Sequence, residues 1–231
     1  MFRYLVFAFV LFSAPHLLLA GAMSSGSTLS SDYVFRGVTK TDHGPAVFGR
    51  MHYALDIGLS FGSSVVNVGA DDARGVEVQP DLTFIYNLNS KFSVKVGAIY
   101  YYNPFATLAD TLDYQIGLGI TKYFQLSVFY TTRYFARDSS ALYVLGETNF
   151  AIYTPEQLYL NLSAGYSRFA YPVNAGNKNY TDYTIGLHRR SQNSDVGLFY
   201  TGTNRRIIDP KGLDVPAKDE TFVAAYTIAF N

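Results

Sequence analysis

The sequence predicts an all-β fold: a single antiparallel, up-and-down transmembrane barrel of about twelve strands, following a cleaved signal peptide. Three observations predict it. Apolar and polar residues alternate with a period of two through nearly all of the chain past residue 22. The connections between alternating segments are short and long in strict turn. The strands that run into the long connections end in aromatics, as at Tyr100-Tyr101-Tyr102, Tyr134-Phe135 and Phe199-Tyr200.

The first element is the leader. M-F-R-Y-L-V-F-A-F-V-L-F-S-A-P-H-L-L-L-A-G-A has one basic residue, an apolar run and the small-residue motif Ala20-Gly21-Ala22. That is the pattern of a secretory signal. Cleavage is expected before Met23, so residues 1–22 are leader and 23–231 form one barrel domain. Past residue 22 no apolar stretch is long enough for a spanning helix, but a spanning strand needs only about ten residues.

Twelve strands are expected near 28–37, 45–55, 59–68, 75–86, 91–103, 111–121, 124–135, 141–153, 157–169, 180–190, 195–204 and 220–230. Tight-turn residues join them in hairpins, as at Asp56-Ile57-Gly58, Asn87-Leu88-Asn89-Ser90 and Thr154-Pro155-Glu156. Longer polar connections lie near 38–44, 69–74, 104–110, 136–140, 170–179 and 205–219. The faces of each strand differ sharply. Leu112, Tyr114, Ile116, Leu118 and Ile120 oppose Asp113, Gln115, Gly117 and Gly119. The last strand sets Phe222, Ala224, Tyr226, Ile228 and Phe230 on one face.

A continuous apolar face must be hidden from water. Twelve strands enclose too wide a space for small apolar side chains to fill. The apolar face is therefore expected outside, against lipid, with the polar face lining a lumen. In S-S-D-Y-V-F-R-G-V-T-K-T-D, residues 30–42, this alternation sends Asp32 and Arg36 to the lumen and Tyr33 and Phe35 to lipid.

That stretch, followed by H-G-P-A-V, resembles the N-terminal signature of the Gcw-type conserved proteobacterial proteins, labelled TorF-family porins. Asp56-Ile57-Gly58 before Leu59-Ser60-Phe61-Gly62, and Ile99-Tyr100-Tyr101-Tyr102-Asn103-Pro104, are looser echoes. The resemblance implies an outer-membrane location and a pore. It implies no substrate and no catalytic residue.

The lumen set expected from alternation is Asp32, Arg36, Arg50, His52, Glu77, Asp81, Lys95, Asp113, Arg133, Glu147 and His188. Two readings apply to it: a charged constriction that screens permeants, or a network of paired charges that braces the wall. Both signs occur in near balance. The leading function is passive diffusion of small polar solutes; its rival is a closed barrel acting in adhesion or envelope structure through its outer loops. The expected setting is the outer membrane of a Gram-negative bacterium. Its lipid and its assembly machinery are the expected partners, with small polar solutes.

Other classes are disfavoured. The formal net charge is zero, which offers no electrostatic footprint for nucleic acid. The chain has no Cys, excluding disulfides and thiolate chemistry. No G-x-S-x-G motif occurs. His188 with a Ser and Asn161 is the one catalytic set the residues allow, and no enzyme is expected. No spacing indicates a metal site; Asp71-Asp72 reads as a solvated loop. No cofactor is expected.

Overall fold

The computed structural model describes residues 21–69, 75–104, 110–120, 123–132, 139–170, 179–208, 214–217 and 219–230. Twelve strands close into one barrel. They are β1 (Gly21–Ser30), β4 (Ala46–Leu55), β5 (Leu59–Val68), β6 (Gly75–Asn87), β7 (Phe92–Tyr101), β8 (Thr111–Ile120), β9 (Phe124–Thr131), β10 (Ala141–Tyr153), β11 (Leu158–Phe169), β12 (Tyr180–Arg190), β13 (Ser194–Thr203) and β16 (Thr221–Phe230). Each pairs antiparallel with its barrel neighbour in the chain, and β1 closes the ring on β16 through Ser25↔Phe230 to Ser30↔Ala225. Two small hairpins lie outside the ladder: β2 (Val34–Phe35) with β3 (Val38–Thr39), and β14 (Arg206–Ile208) with β15 (Asp214–Pro216).

The alternation sets the faces. Along β8, Thr111, Asp113, Gln115 and Gly117 are buried while Tyr114, Ile116 and Leu118 are exposed. Along β16, Phe222, Tyr226, Ile228 and Phe230 are exposed. The same outward set continues through Val47 and Met51 on β4, Leu82 and Phe84 on β6, and Leu187 on β12. A water-soluble protein does not expose an apolar belt of this extent. It is a surface made for a hydrocarbon surround. The barrel strands are 8 to 13 residues long, which suits a spanning wall.

One expectation fails. The segment expected as a strand over 28–37 is instead β1, which starts at Gly21 and ends at Ser30. Gly21 and Ala22, assigned above to the leader, pair with Leu55 and Ala54. Residues 1–20 of that leader lie outside the described residues. Past Ser30 the chain leaves the wall and turns into the barrel. Ser31 donates its N–H to the Ala224 carbonyl (2.9 Å) and its hydroxyl accepts from Ala224 N–H (3.0 Å). That exchange anchors the departing chain to β16.

The outward stripe carries a direct consequence. Ile116, near the middle of β8, is 64% exposed. Ile116→Arg should cost about 2–4 kcal/mol in a bilayer, measured as a lower denaturant midpoint for unfolding from phospholipid vesicles. An unchanged midpoint would show that this face does not meet hydrocarbon.

Candidate functional site

The connection between β1 and β4 folds inward at the barrel end that carries the long connections. Its centre is Phe35-Arg36-Gly37-Val38, with Phe35 paired to Val38. Arg36 (φ 51°) and Gly37 (φ 72°) are both left-handed, as a two-residue turn of the primed type requires. Glycine adopts this readily, whereas a residue with a side chain adopts it at a cost of about 1–3 kcal/mol. Gly37 is also needed for space, since a Cβ there would lie 2.5 Å from Asp182 Cβ and 3.1 Å from Thr203 Cβ.

Asp32 shapes the hairpin from within. It is buried and accepts from the hydroxyls of Thr39 (2.6 Å) and Thr41 (2.8 Å), with His43 Nδ1 at 3.1 Å. Tyr33 N–H donates to Thr41 Oγ1 (2.9 Å), and Lys40 N–H donates to the Tyr33 carbonyl (2.7 Å). A carboxylate capping two hydroxyls this way closes the loop without help from the wall.

The hairpin then meets the wall from β4 round to β12, with its rings and charges directed to the β4–β10 side. Tyr33 packs edge-on to Phe48 of β4 and against Val66 of β5. Lys40 pairs with Glu77 of β6 at 2.6 Å, and Tyr33 OH donates to the same carboxylate (3.3 Å). Phe35 packs against Tyr101 of β7 at 5.3 Å. Arg36 pairs with the fully buried Asp113 of β8, which also accepts from Thr131 of β9. The guanidinium lies over the rings of Phe35, Phe129 and Tyr143, at 4.8, 5.3 and 4.5 Å from their centroids. Val38 packs against the cluster of Ala141, Phe169 and Tyr180. Burial pushes the Lys40 ammonium below the ordinary lysine range, and the Glu77 carboxylate opposes that shift.

A second tier of charge lines the lumen toward the short turns. His52 faces Asp81 at 3.6 Å. Lys95 stands within electrostatic reach of Glu147 and Asp81. His188 holds Asp195 through Nδ1 (2.9 Å), has Asn149 Oδ1 at 3.2 Å from Nε2, and stacks on Tyr159 at 5.3 Å. Asn161 donates to Asn149 Oδ1 (3.2 Å). Arg50 lines a cavity of about 440 Å³ beside His188 and Asn161.

The model for a family described as "Bacterial protein of unknown function (Gcw_chp)" matches residues 20–228. The chain belongs to this family. No curated protein matches it. Among solved structures, the fold of this Gcw_chp member is similar to that of the KdgM porin, with a TM-score of 0.57 at 11% identity over 90% of this chain and 99% of that one. The NanC porin gives 0.57 at 11% identity over 91% and 100%. A KdgM porin in complex with disordered oligogalacturonate gives 0.54 at 11% identity over 92% and 100%. Likeness at this identity is likeness of fold.

Within this family member the expected lumen residues fall into two groups. Asp113 and Glu77 project from the wall and meet cations of the β1–β4 connection, Asp113 meeting Arg36 and Glu77 meeting Lys40, so that Arg36 comes from the hairpin, not from a barrel strand. Asp32 serves the hairpin's own turn. Arg50, His52, Asp81, Lys95, Glu147 and His188 form the second tier. Arg133 and Asp71-Asp72 lie outside the described residues. The assignment of Tyr33 and Phe35 to lipid is overturned. Both rings turn inward, because the chain leaves the wall after Ser30 and the alternation on which that assignment rested no longer applies.

Several partners escaped the sequence reading. Lys40 falls in a segment expected as a long outer connection, yet it is a half-buried ion-pair partner. Tyr143, Gln79 and Asp182 share the inward parity of Glu147, Glu77 and His188, so alternation alone could have found them. V-F-R-G-V-T itself has the form of a tight hairpin, two β-rich pairs around X-Gly.

Truncating Arg36 leaves a wholly buried carboxylate without its cation. Arg36→Ala should therefore lower stability by about 3–5 kcal/mol, and adding Asp113→Asn should recover a large part of that loss. Denaturant midpoints of the two variants in vesicles check this. No recovery in the double variant would show that the pair is not what holds the hairpin.

Proposed function

We propose that the protein is an outer-membrane channel through which small polar solutes diffuse passively along a charge-lined lumen. The carrying observation is the inversion of the barrel: apolar residues cover its outside, while its interior holds ionised and amide side chains around cavities of about 400 and 440 Å³. Packed soluble barrels do the reverse. The similar folds are named as porins, and one of them is described with a disordered oligogalacturonate. A solute rich in hydroxyl and charged groups suits the interior of this chain as well.

The six longer connections then face outside and the short turns face the periplasm, with the inward hairpin at the outer mouth. The leader is removed before Met23, leaving a β1 that still pairs with β4 from Met23 onward. Lipid and the outer-membrane assembly machinery are the partners this reading requires.

The hairpin favours one competing reading. Its turn is buried, it is tied to the wall by two ion pairs, and it crosses the outer mouth. A barrel sealed in this way would act through its loops, without transport. Single-channel recording in planar bilayers separates the two. The channel reading requires discrete conductance steps from heat-modifiable, folded protein; folded protein that never conducts would leave the sealed barrel.

Charge reversal gives a second, finer test. Charge rings set selectivity in wide pores, and the interior here is close to balanced. Arg50 is exposed within its cavity, so Arg50→Glu should move the reversal potential toward cation preference with little loss of stability. Lys95→Glu should shift it the same way and also lower the denaturation midpoint, because it places a third acid beside Glu147 and Asp81. Identical behaviour of the two variants would contradict this placement of the charges.

A further inference from the structure

The hairpin does not fill the barrel evenly. Its rings and ion pairs go to the side formed by β4 through β10. Beneath its tip, a cavity of about 400 Å³ is lined along β1, β12, β13 and β16, and is closed by the hairpin itself together with Phe48 of β4, Tyr143 and Leu145 of β10 and Ser163 of β11. Apart from Asp182 and Phe199, the side chains that β1, β12, β13 and β16 turn into it are small: Thr28 and Ser30 on β1, Thr184 on β12, Thr201 on β13, Val223 and Ala225 on β16. The second cavity, of about 440 Å³, continues on the same side toward the short turns, past His188, Arg50 and Thr227. Phe199 and Ala225 line both spaces. Of these two, only Phe199 is bulky, so its ring stands at the junction.

The wall is built to receive that ring. Gly186 on β12 and Gly197 on β13 lie beneath it. A methyl group on Gly197 would sit 2.6 Å from Phe199 Cε2 and 2.7 Å from Cζ. One on Gly186 would collide with the opposite edge of the ring, 2.7 Å from Cε1. Real Cβ atoms do not approach an aromatic carbon so closely, so the ring rests directly on backbone at both positions. Any side chain at either glycine would lift it into the lumen.

We infer that solutes cross the barrel off its axis, along β12, β13, β16 and β1, and that Phe199, seated on Gly186 and Gly197, sets the size limit of that route. This rests on the diffusion function proposed above. The small hydroxyl-bearing wall above the ring and the amide and arginine groups below it can exchange hydrogen bonds with a solute at each step. The opposite side is occupied by aromatic rings and by charges already paired to one another.

The absence of native cysteine makes the route directly testable. Single cysteines at Thr184 and Val223, half-buried on the route, should react in the folded protein with a small charged methanethiosulfonate. Single cysteines at Gln115 and Ser127, buried on the opposite wall, should react far more slowly. Equal or reversed labelling overturns the off-axis route. This readout needs no conductance. In liposome swelling, Phe199→Ala and Phe199→Leu should shift the exclusion limit upward, admitting a disaccharide that the native protein excludes. Gly197→Val and Gly186→Ala should shift it downward, and heat-modifiable migration verifies that each variant is folded. If native vesicles swell and both Phe199 variants keep the native limit, the role of Phe199 is refuted. If Thr184→Cys labels but native vesicles never swell, the diffusion function fails, and the size-limit role with it.

Discussion

The structure depends on one constraint: a sheet whose outer face is apolar has to pair every backbone N–H and C=O within itself. Hydrocarbon offers neither donor nor acceptor, so an open edge would leave a row of unpaired groups at several kcal/mol each. The ladder from β1 through β4 to β13 and β16 meets that demand by closing on itself. Antiparallel order follows from the short connections at one end. The width of a twelve-stranded ring follows from closure, and it creates the interior problem that the remaining residues solve.

That interior is too broad for side chains from opposite walls to meet and fill. The hairpin between β1 and β4 supplies the missing mass. It brings its own turn, stabilised by Asp32, and offers one cation to each of two buried carboxylates, Arg36 to Asp113 and Lys40 to Glu77. Buried pairs of this kind add little net stability over apolar contacts, because desolvation offsets the attraction. They do penalise every position of the hairpin that separates them. The aromatic rings around Arg36 add attraction of about 0.5–2 kcal/mol where the cation is desolvated. The left-handed Arg36 is the strain accepted for placing that guanidinium at the turn.

The glycines follow the same logic on a smaller scale. On an inward face they mark where another group must lie against the wall. Gly37 gives way to Asp182, Gly186 and Gly197 to Phe199, and Gly165 to Tyr143. Tyr143, held down in this way, donates to Asp182 Oδ1 at 3.0 Å and roofs Arg36. The inward glycines thus keep rings flat, and flat rings leave open the space beside them.

Much of this was legible in the sequence. A period of two assigns each side chain to one of two faces, so the outward positions of Ile116 and Phe222 and the inward ones of Asp113 and Glu147 followed from parity. The alternating connection lengths gave strand number and direction. Parity failed at Tyr33 and Phe35, because the chain leaves the wall after Ser30 and reverses at Arg36 and Gly37 inside the barrel. Only the tertiary structure decided that Arg36 meets Asp113, that Lys40 meets Glu77, and that Phe199 lies over Gly186. Alternation fixes the face on which a residue lies but not its angle around the barrel. Which inward groups face one another depends on closure and stagger, and those are properties of the whole ring, not of any strand within it.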